Sequence, residues 1–324
     1  MPQPQPYSVK QCDSDTSLQW LRALLNPLPG VPFIQPDAEQ VSWCRDEGLA
    51  PLLASKLGAA CPAFQSDAQQ LAMRELAHEE ALQRLAIVCR EAAINIMVIK
   101  GEALARTLYA APGQRLRSDI DLWVRQQQLE PLCLILSKLG YAAISNIRQQ
   151  WARFEVVHAK AQVPSVAFDV HVHPFFRPRM LQQRPFDAVW ADAVELPGLA
   201  PLRAPNSADA FLIAALHLAK NSHKRAIWLY DIDRFCVVAP EAVARCCALA
   251  PAWGIAQLVA DALTRTIAAF GTKPGCKLPQ PLGQEMLSSI LRQPGKLSAL
   301  HRDLSILPHW RARLHFLLEL FARP

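Results

Sequence analysis

The sequence predicts an α+β fold: a small mixed β-sheet with flanking helices, set between an N-terminal and a C-terminal helical region. Three stretches carry that reading. The run IMVI at 96–99 is short, apolar and β-branched, as a buried strand is. DIDLWV at 119–124 and SVAFDVHVH at 165–173 alternate polar and apolar residues, the period of a strand with one buried face. Long stretches on either side keep helical spacing instead, so the chain divides into an N-terminal helical region (1–93), an α/β core (94–178) and a C-terminal helical domain (179–324).

Residues 1–13 are rich in proline and glutamine and are expected to be disordered. Leu18, Leu21, Leu24 and Leu25 then mark a first helix, which Pro27, Pro29, Pro32 and Pro36 interrupt. Two short helices follow between 37 and 57, divided near Gly48, with Pro51 tolerated in the first turn of the second. Ser66-Asp67-Ala68-Gln69 fits a capping box for a long helix over 67–93, whose Leu82, Leu85, Cys89 and Ala92 share one side. The AHEEA segment inside it is no zinc-peptidase signature, because Leu82 stands where the second histidine would be.

In the core, Lys100-Gly101 follows the first strand and opens a helix at 102–109. After a Pro-Gly turn, Arg115-Leu116-Arg117-Ser118 leads into the second strand. Leu132, Ile135, Leu136 and Leu139 form the stripe of a helix over 130–139 that Gly140 ends. Strands at 141–145, 154–159 and 166–173 complete a sheet with helices on one face, the polar stretch 146–153 serving as a hairpin connection or a substrate loop. Beyond 178, connections at Pro197, Pro201 and Pro205 lead to helices at 207–220, where Asn206 or Ser207 is the cap, and at 227–238, 240–250, 254–270, 283–292 and 309–322.

The chemistry concentrates in the core. Asp119 and Asp121 project from one face of a strand about 6–7 Å apart at the backbone, while Ile120 and Leu122 turn to the other. Like charges held that close resist burial, and a hard divalent cation is the simplest compensating partner; a solvated strand end is the plainer alternative. On the last strand Asp169, His171 and His173 share a face, so Asp169 completes a possible three-carboxylate cluster of the kind that holds two cations in phosphoryl transfer. Asp231-Ile232-Asp233 repeats the triplet in a helix, where residues two apart diverge, so that pair cannot share a metal.

The strings IKGEALARTLY, R-x-x-x-DIDLWV and FDVHVH resemble the uncharacterised nucleotidyltransferase family of the polymerase-beta-like superfamily. The positions that carry the likeness are Lys100, Gly101, Arg115, Asp119, Asp121, Asp169 and His171. Trp43, GLAPLLASKL, LHLAKNSH around His217 and His223, and WLYDIDRF around Asp231 extend it from Trp43 to Phe270. Superfamily members with an established transfer activity usually carry glycine-serine where this chain has Lys100-Gly101, a pair normal for this family.

The resemblance implies a nucleotidyltransferase-type sheet with a helical part facing its active side. It also implies a metal-dependent enzyme that moves a nucleoside monophosphate from a nucleoside triphosphate (NTP) to an acceptor hydroxyl and releases pyrophosphate, with Mg²⁺ or Mn²⁺ as cofactor. Asp119, Asp121 and Asp169 are the candidate metal ligands and catalytic residues, Asp169 doubling as general base. Lys100, Gly101, Arg115, Arg117 and Ser118 are the candidate nucleotide contacts, and His171 orients Asp169 or touches substrate. Each has a plainer role beside this: Lys100 as an ion-pair partner of an aspartate, Asp169 as a partner of Arg115 or Arg117, Ser118 as a turn residue, His171 as a satisfied structural histidine. His217 and the basic cluster Lys220, His223, Lys224 and Arg225 read more simply as a solvated helix end than as a phosphate site. Two other functions compete: a catalytically inactive nucleotide- or partner-binding protein of the same fold, and a hydrolase using Asp169, His171 and His173 with a transition metal.

Composition bounds the rest. Hydrophobic residues make up 51% and charged ones 19% of 324 residues, enough for sizeable cores. A net charge of +6 suits an anionic ligand such as an NTP but lacks the basic stripe of a nucleic-acid binder, so a protein or small-molecule acceptor is favoured over nucleic acid. Nine cysteines with no CxxC spacing read as reduced thiols of a cytoplasmic protein. No signal pattern opens the chain and no apolar run approaches the ~20 residues that span a bilayer, so no membrane partner is expected.

Overall fold

The computed structural model of the chain describes residues 14–25, 35–144, 155–161, 164–174, 184–221, 225–285, 300–301, 304 and 309–321. The expected disorder of 1–13, the polar stretch 146–153, His223 and nearly all of the helix expected at 283–292 lie outside the described residues.

The N-terminal region comprises α1 (Ser14–Leu25), α2 (Ala38–Asp46), α3 (Ala50–Leu57) and α4 (Gln65–Glu91). Asp37 and Gln40 form a reciprocal capping box on α2, and Gly48, at φ 77°, turns the chain into α3. The capping box expected at 66–69 does not form. α4 starts at Gln65, so Ser66 lies inside the helix and Phe64, which has no side-chain acceptor, holds the cap position; the Asp67 carboxylate receives Arg45 Nε at 3.0 Å. Leu82, Leu85 and Cys89 are buried as the periodicity predicts, whereas Ala92 lies past the helix end and is exposed.

The core contains β1 (Met97–Ile99), α5 (Lys100–Thr107), β2 (Ile120–Trp123), α6 (Leu129–Lys138), β3 (Ala142–Ala143), β4 (Glu155–Lys160) and β5 (Val166–His171). Then come α7 (Phe186–Ala191), β6 (Val194–Glu195), β7 (Arg203–Ala204), α8 (Ser207–Lys220), α9 (Ala226–Val238), α10 (Pro240–Trp253), α11 (Ala256–Phe270) and α12 (Trp310–Phe321). The result is an α+β fold built on a seven-stranded mixed sheet, ordered β3-β4-β5-β2-β1-β7-β6.

Two strands were not expected. β6 and β7 come from a proline-rich stretch read as connections within a helical region. Arg203 pairs in parallel with Met97, and buried Leu196, Leu199 and Leu202 anchor the hairpin. The hairpin satisfies backbone groups at the edge of β1 that burial would otherwise leave unpaired.

Helices cover both faces of the sheet, not one. Val98, Ile120, Leu122, Phe168 and Val170 pack on Leu82 and Leu85 of α4 and on Leu132 and Leu136 of α6. On the opposite face Met97, Ile99 and Trp123 join the core made by α3 and α8 to α11, since the acid-bearing face keeps large apolar residues of its own to bury. The C-terminal helices thereby roof the strand ends that carry the acids. Among the described residues the eight cysteines are free thiols, and no single helix is long and apolar enough to cross a membrane.

Candidate functional site

Strand pairing brings the acids together. β2 runs antiparallel to β1 with Asp121 opposite Ile99, and parallel to β5 with Asp121 opposite Asp169. Partners in register project from the same face, so these two carboxylates stand side by side, and His171, two residues along β5, faces the same way. His171 Nε2 lies 2.8 Å from Asp121 Oδ1 and 3.3 Å from Asp169 Oδ2. Lys100, immediately after β1, reaches into the group: its Nζ donates to Asp121 Oδ1 at 2.7 Å and lies 3.0 Å from His171 Nε2. The ion-pair role weighed for Lys100 is thus observed. Neither Arg115 nor Arg117 is Asp169's partner, since each guanidinium pairs with another carboxylate.

Asp121, Asp169 and His171 each offer a ligand atom within 4.8 Å of the others, a group that can hold a metal ion. Asp169 Oδ1 is buried with no hydrogen-bond partner, a costly arrangement that a cation would relieve. Asp119, one residue before β2, accepts Ser118 Oγ at 3.2 Å and lines the same cavity without belonging to that group. Burial opposes the charge on Asp121, but Lys100 and the hydrogen bond from His171 outweigh it and hold the carboxyl well below its ordinary range. Asp119 is shifted upward by its own burial and by the neighbouring Asp121 charge. For His171, burial and Lys100 favour the neutral ring, yet hydrogen bonds to Asp121 and Asp169 prevail and raise its pKa.

These groups open onto a cavity of about 250 Å³ between the sheet and the C-terminal helices. Lys100, Gly101, Arg115, Arg117, Ser118, Asp119, Asp121 and Asp169 all line it, so eight of the nine residues singled out from the sequence meet in one place. His171, the ninth, sits behind the acids. The opposite wall is helical, as the resemblance implied, but its residues were not among the candidate site residues: His217, Asn221, Arg225, Trp228 and Asp231 come from α8, α9 and the connection between them. His217 and Arg225 had carried the plainer reading of a solvated helix end. His217 instead packs edge-on against Trp228, with ring centroids 4.8 Å apart.

Arg115 crosses the cavity wall to Asp231 in a two-pronged pair, Nη2 to Oδ2 at 2.7 Å and Nε to Oδ1 at 3.3 Å, while Tyr109 donates to Oδ1 at 2.6 Å. Gly101 makes room for this crossing, since a Cβ there would lie 2.6 Å from Arg115 Nη1. Arg115 is buried and pinned, so the obstruction has no easy relief. Gly101→Ala is expected to lose about 1–3 kcal/mol of stability, the usual range for overpacking, read as a lower urea midpoint at unchanged m.

Arg117 is held by Glu102 and by Glu75, with Nη2 to Glu75 Oε2 at 2.7 Å, and its side chain is 1% exposed. Glu102, fully buried in the first turn of α5, also takes Arg106 Nε at 2.6 Å and lies 3.0 Å from His78 Nδ1. Burial pushes the Glu102 carboxyl up, but His78, Arg117 and Arg106 outweigh it and bring it far below the ordinary value of 4.5. Its stabilisation is therefore complete above that value and lost as pH falls below it. Thermal melts across pH 3–7 should show wild type losing Tm steeply below about pH 4.5, with Glu102→Gln less stable at neutral pH and flatter in acid.

Residues 37–270, well over half of the chain, match the family model described as uncharacterised nucleotidyltransferase. The chain belongs to this nucleotidyltransferase family. No curated protein matches it. The family match runs from the cap of α2 to the last residue of α11, so it contains both walls of the cavity, while α1 and α12 fall outside it. The resemblance read from Trp43 to Phe270 has nearly the same limits.

Proposed function

We propose that the protein is a metal-dependent nucleotidyltransferase that transfers a nucleoside monophosphate from an NTP to an acceptor hydroxyl and releases pyrophosphate. The observation that carries this is the alignment of Asp121 and Asp169 on adjacent parallel strands, with an orphaned Asp169 oxygen, at the floor of a cavity lined by basic residues. Asp119, Asp121 and Asp169 would hold Mg²⁺ or Mn²⁺, whose chemistry is to polarise the transferred phosphoryl group and offset its charge. Asp169, oriented by His171, takes the acceptor's proton. Ser118 and the positive field of Lys100, Arg115 and Arg117 lie where the triphosphate would enter, Gly101 giving the backbone access. Because both guanidinium groups are already paired, their contribution is mainly long-range. The acceptor is a protein or a small molecule, in a cytoplasmic setting.

The test is a thermal shift with each NTP in Mg²⁺ or Mn²⁺, followed by assay of pyrophosphate release and of where an α-phosphate label goes in lysate. Stabilisation, pyrophosphate release and a labelled acceptor are expected. Stabilisation without release would instead favour the inactive nucleotide-binding protein, and a tightly held zinc ion in the purified chain the hydrolase.

A further inference from the structure

We propose that Lys100 is a tethered cation that fills one of the two cation positions of the carboxylate cluster, so that the site takes a single divalent ion. This rests on the nucleotidyltransferase reading and concerns how many metals it uses.

Two independent features of Lys100 point the same way. Its backbone, at φ 50°, lies in the left-handed region that glycine enters freely and other residues enter at a cost. That backbone sets the direction of the Cα–Cβ bond, and the ammonium ends between Asp121 Oδ1 and His171 Nε2, at 2.7 and 3.0 Å. That is where a ligand-bound cation would compete with it. The Lys100 side chain is 16% exposed, so the ammonium is a built part of the site and not a surface group that happens to fold inward.

Charge supports the same count. Asp119, Asp121 and Asp169 line the cavity together with Lys100. Three carboxylates facing one another ordinarily call for more than one divalent ion. With the ammonium counted, two negative charges remain, which one divalent ion neutralises. The oxygen left for it is also identifiable, because Asp169 Oδ1 alone among this group's carboxylate oxygens is buried without a hydrogen-bond partner. The ammonium thus covers Asp121 Oδ1, and the divalent ion falls toward Asp169 Oδ1, with Asp119 and the other Asp121 oxygen beside it.

Bound Mn²⁺ can be counted per full-length chain in the presence of a non-hydrolysable NTP, with electron paramagnetic resonance reporting whether ions are magnetically coupled. Adjacent ions in two-metal sites lie roughly 3.5–4 Å apart and couple. Wild type is expected to bind one uncoupled Mn²⁺. Lys100→Gly, which suits the left-handed backbone, and Lys100→Met should each bind a coupled pair. Lys100→Arg, which keeps the charge, should remain at one. A coupled pair in wild type, or a single ion in both neutral variants, overturns the proposal while leaving a two-metal nucleotidyltransferase intact. Absence of Mn²⁺ binding from every form overturns it together with the functional reading.

Discussion

Asp231→Ala is expected to destabilise the protein by about 3–5 kcal/mol. Its carboxylate is the two-pronged partner of Arg115 and accepts the Tyr109 hydroxyl, and all three side chains are buried. Removing it leaves a guanidinium in the interior with its desolvation uncompensated, which costs far more than an exposed pair is worth. Burial alone would ease the Arg115 proton off, but Asp231 reverses this and raises its pKa, so the residue stays charged and cannot escape by neutralising. Chemical denaturation reads the loss directly. Arg115→Met in the same background should restore part of it, because the orphaned charge is then gone, and a cycle built from the two gives the coupling.

On the proposed mechanism, Asp121→Asn is expected to reduce kcat by at least about 100-fold, since a metal ligand counts for more than the 10–100-fold of the groups that orient ligands. The amide keeps shape and a hydrogen-bonding oxygen, so the strand pairing to Ile99 and Asp169 should persist. What changes is charge: Lys100 and His171 lose the anion that both engage, and the cluster loses a carboxylate that the proposed mechanism gives to the metal. Steady-state pyrophosphate release at saturating Mg²⁺ or Mn²⁺, with circular dichroism to verify the fold, makes the comparison.

The sheet and its acids were legible because a strand's two-residue period assigns faces without further information. DIDLWV and SVAFDVHVH each divide into a buried set and a polar set, and parallel pairing of the two places Asp121 beside Asp169 as that division requires. The divergence of Asp231 and Asp233 followed equally from helical geometry: one holds Arg115, the other accepts from Thr272. What periodicity does not encode is which distant element comes to rest on a face. The far wall of the cavity belongs to α8 and α9, more than forty positions downstream of β5, and nothing local to His217, Arg225 or Trp228 reveals that they look toward the acids. Nor could charge counting identify partners. Arg115 and Arg117 read as phosphate-facing cations, yet Asp231 and Glu102 hold them, pairings that depend on where α9 and α5 come to lie beside the segment that carries both arginines. The β6–β7 hairpin escaped notice because strands of two residues have no period to detect.

Diffraction from crystals grown with Mn²⁺ and a non-hydrolysable NTP, recorded at the manganese absorption edge, measures the central claim most directly. Anomalous density within coordination distance of Asp121 or Asp169 carboxylate oxygens, with the triphosphate in the cavity beside Ser118, is the predicted result. Nucleotide bound elsewhere on the chain, or a nucleotide in this cavity with no manganese against either carboxylate, would contradict it.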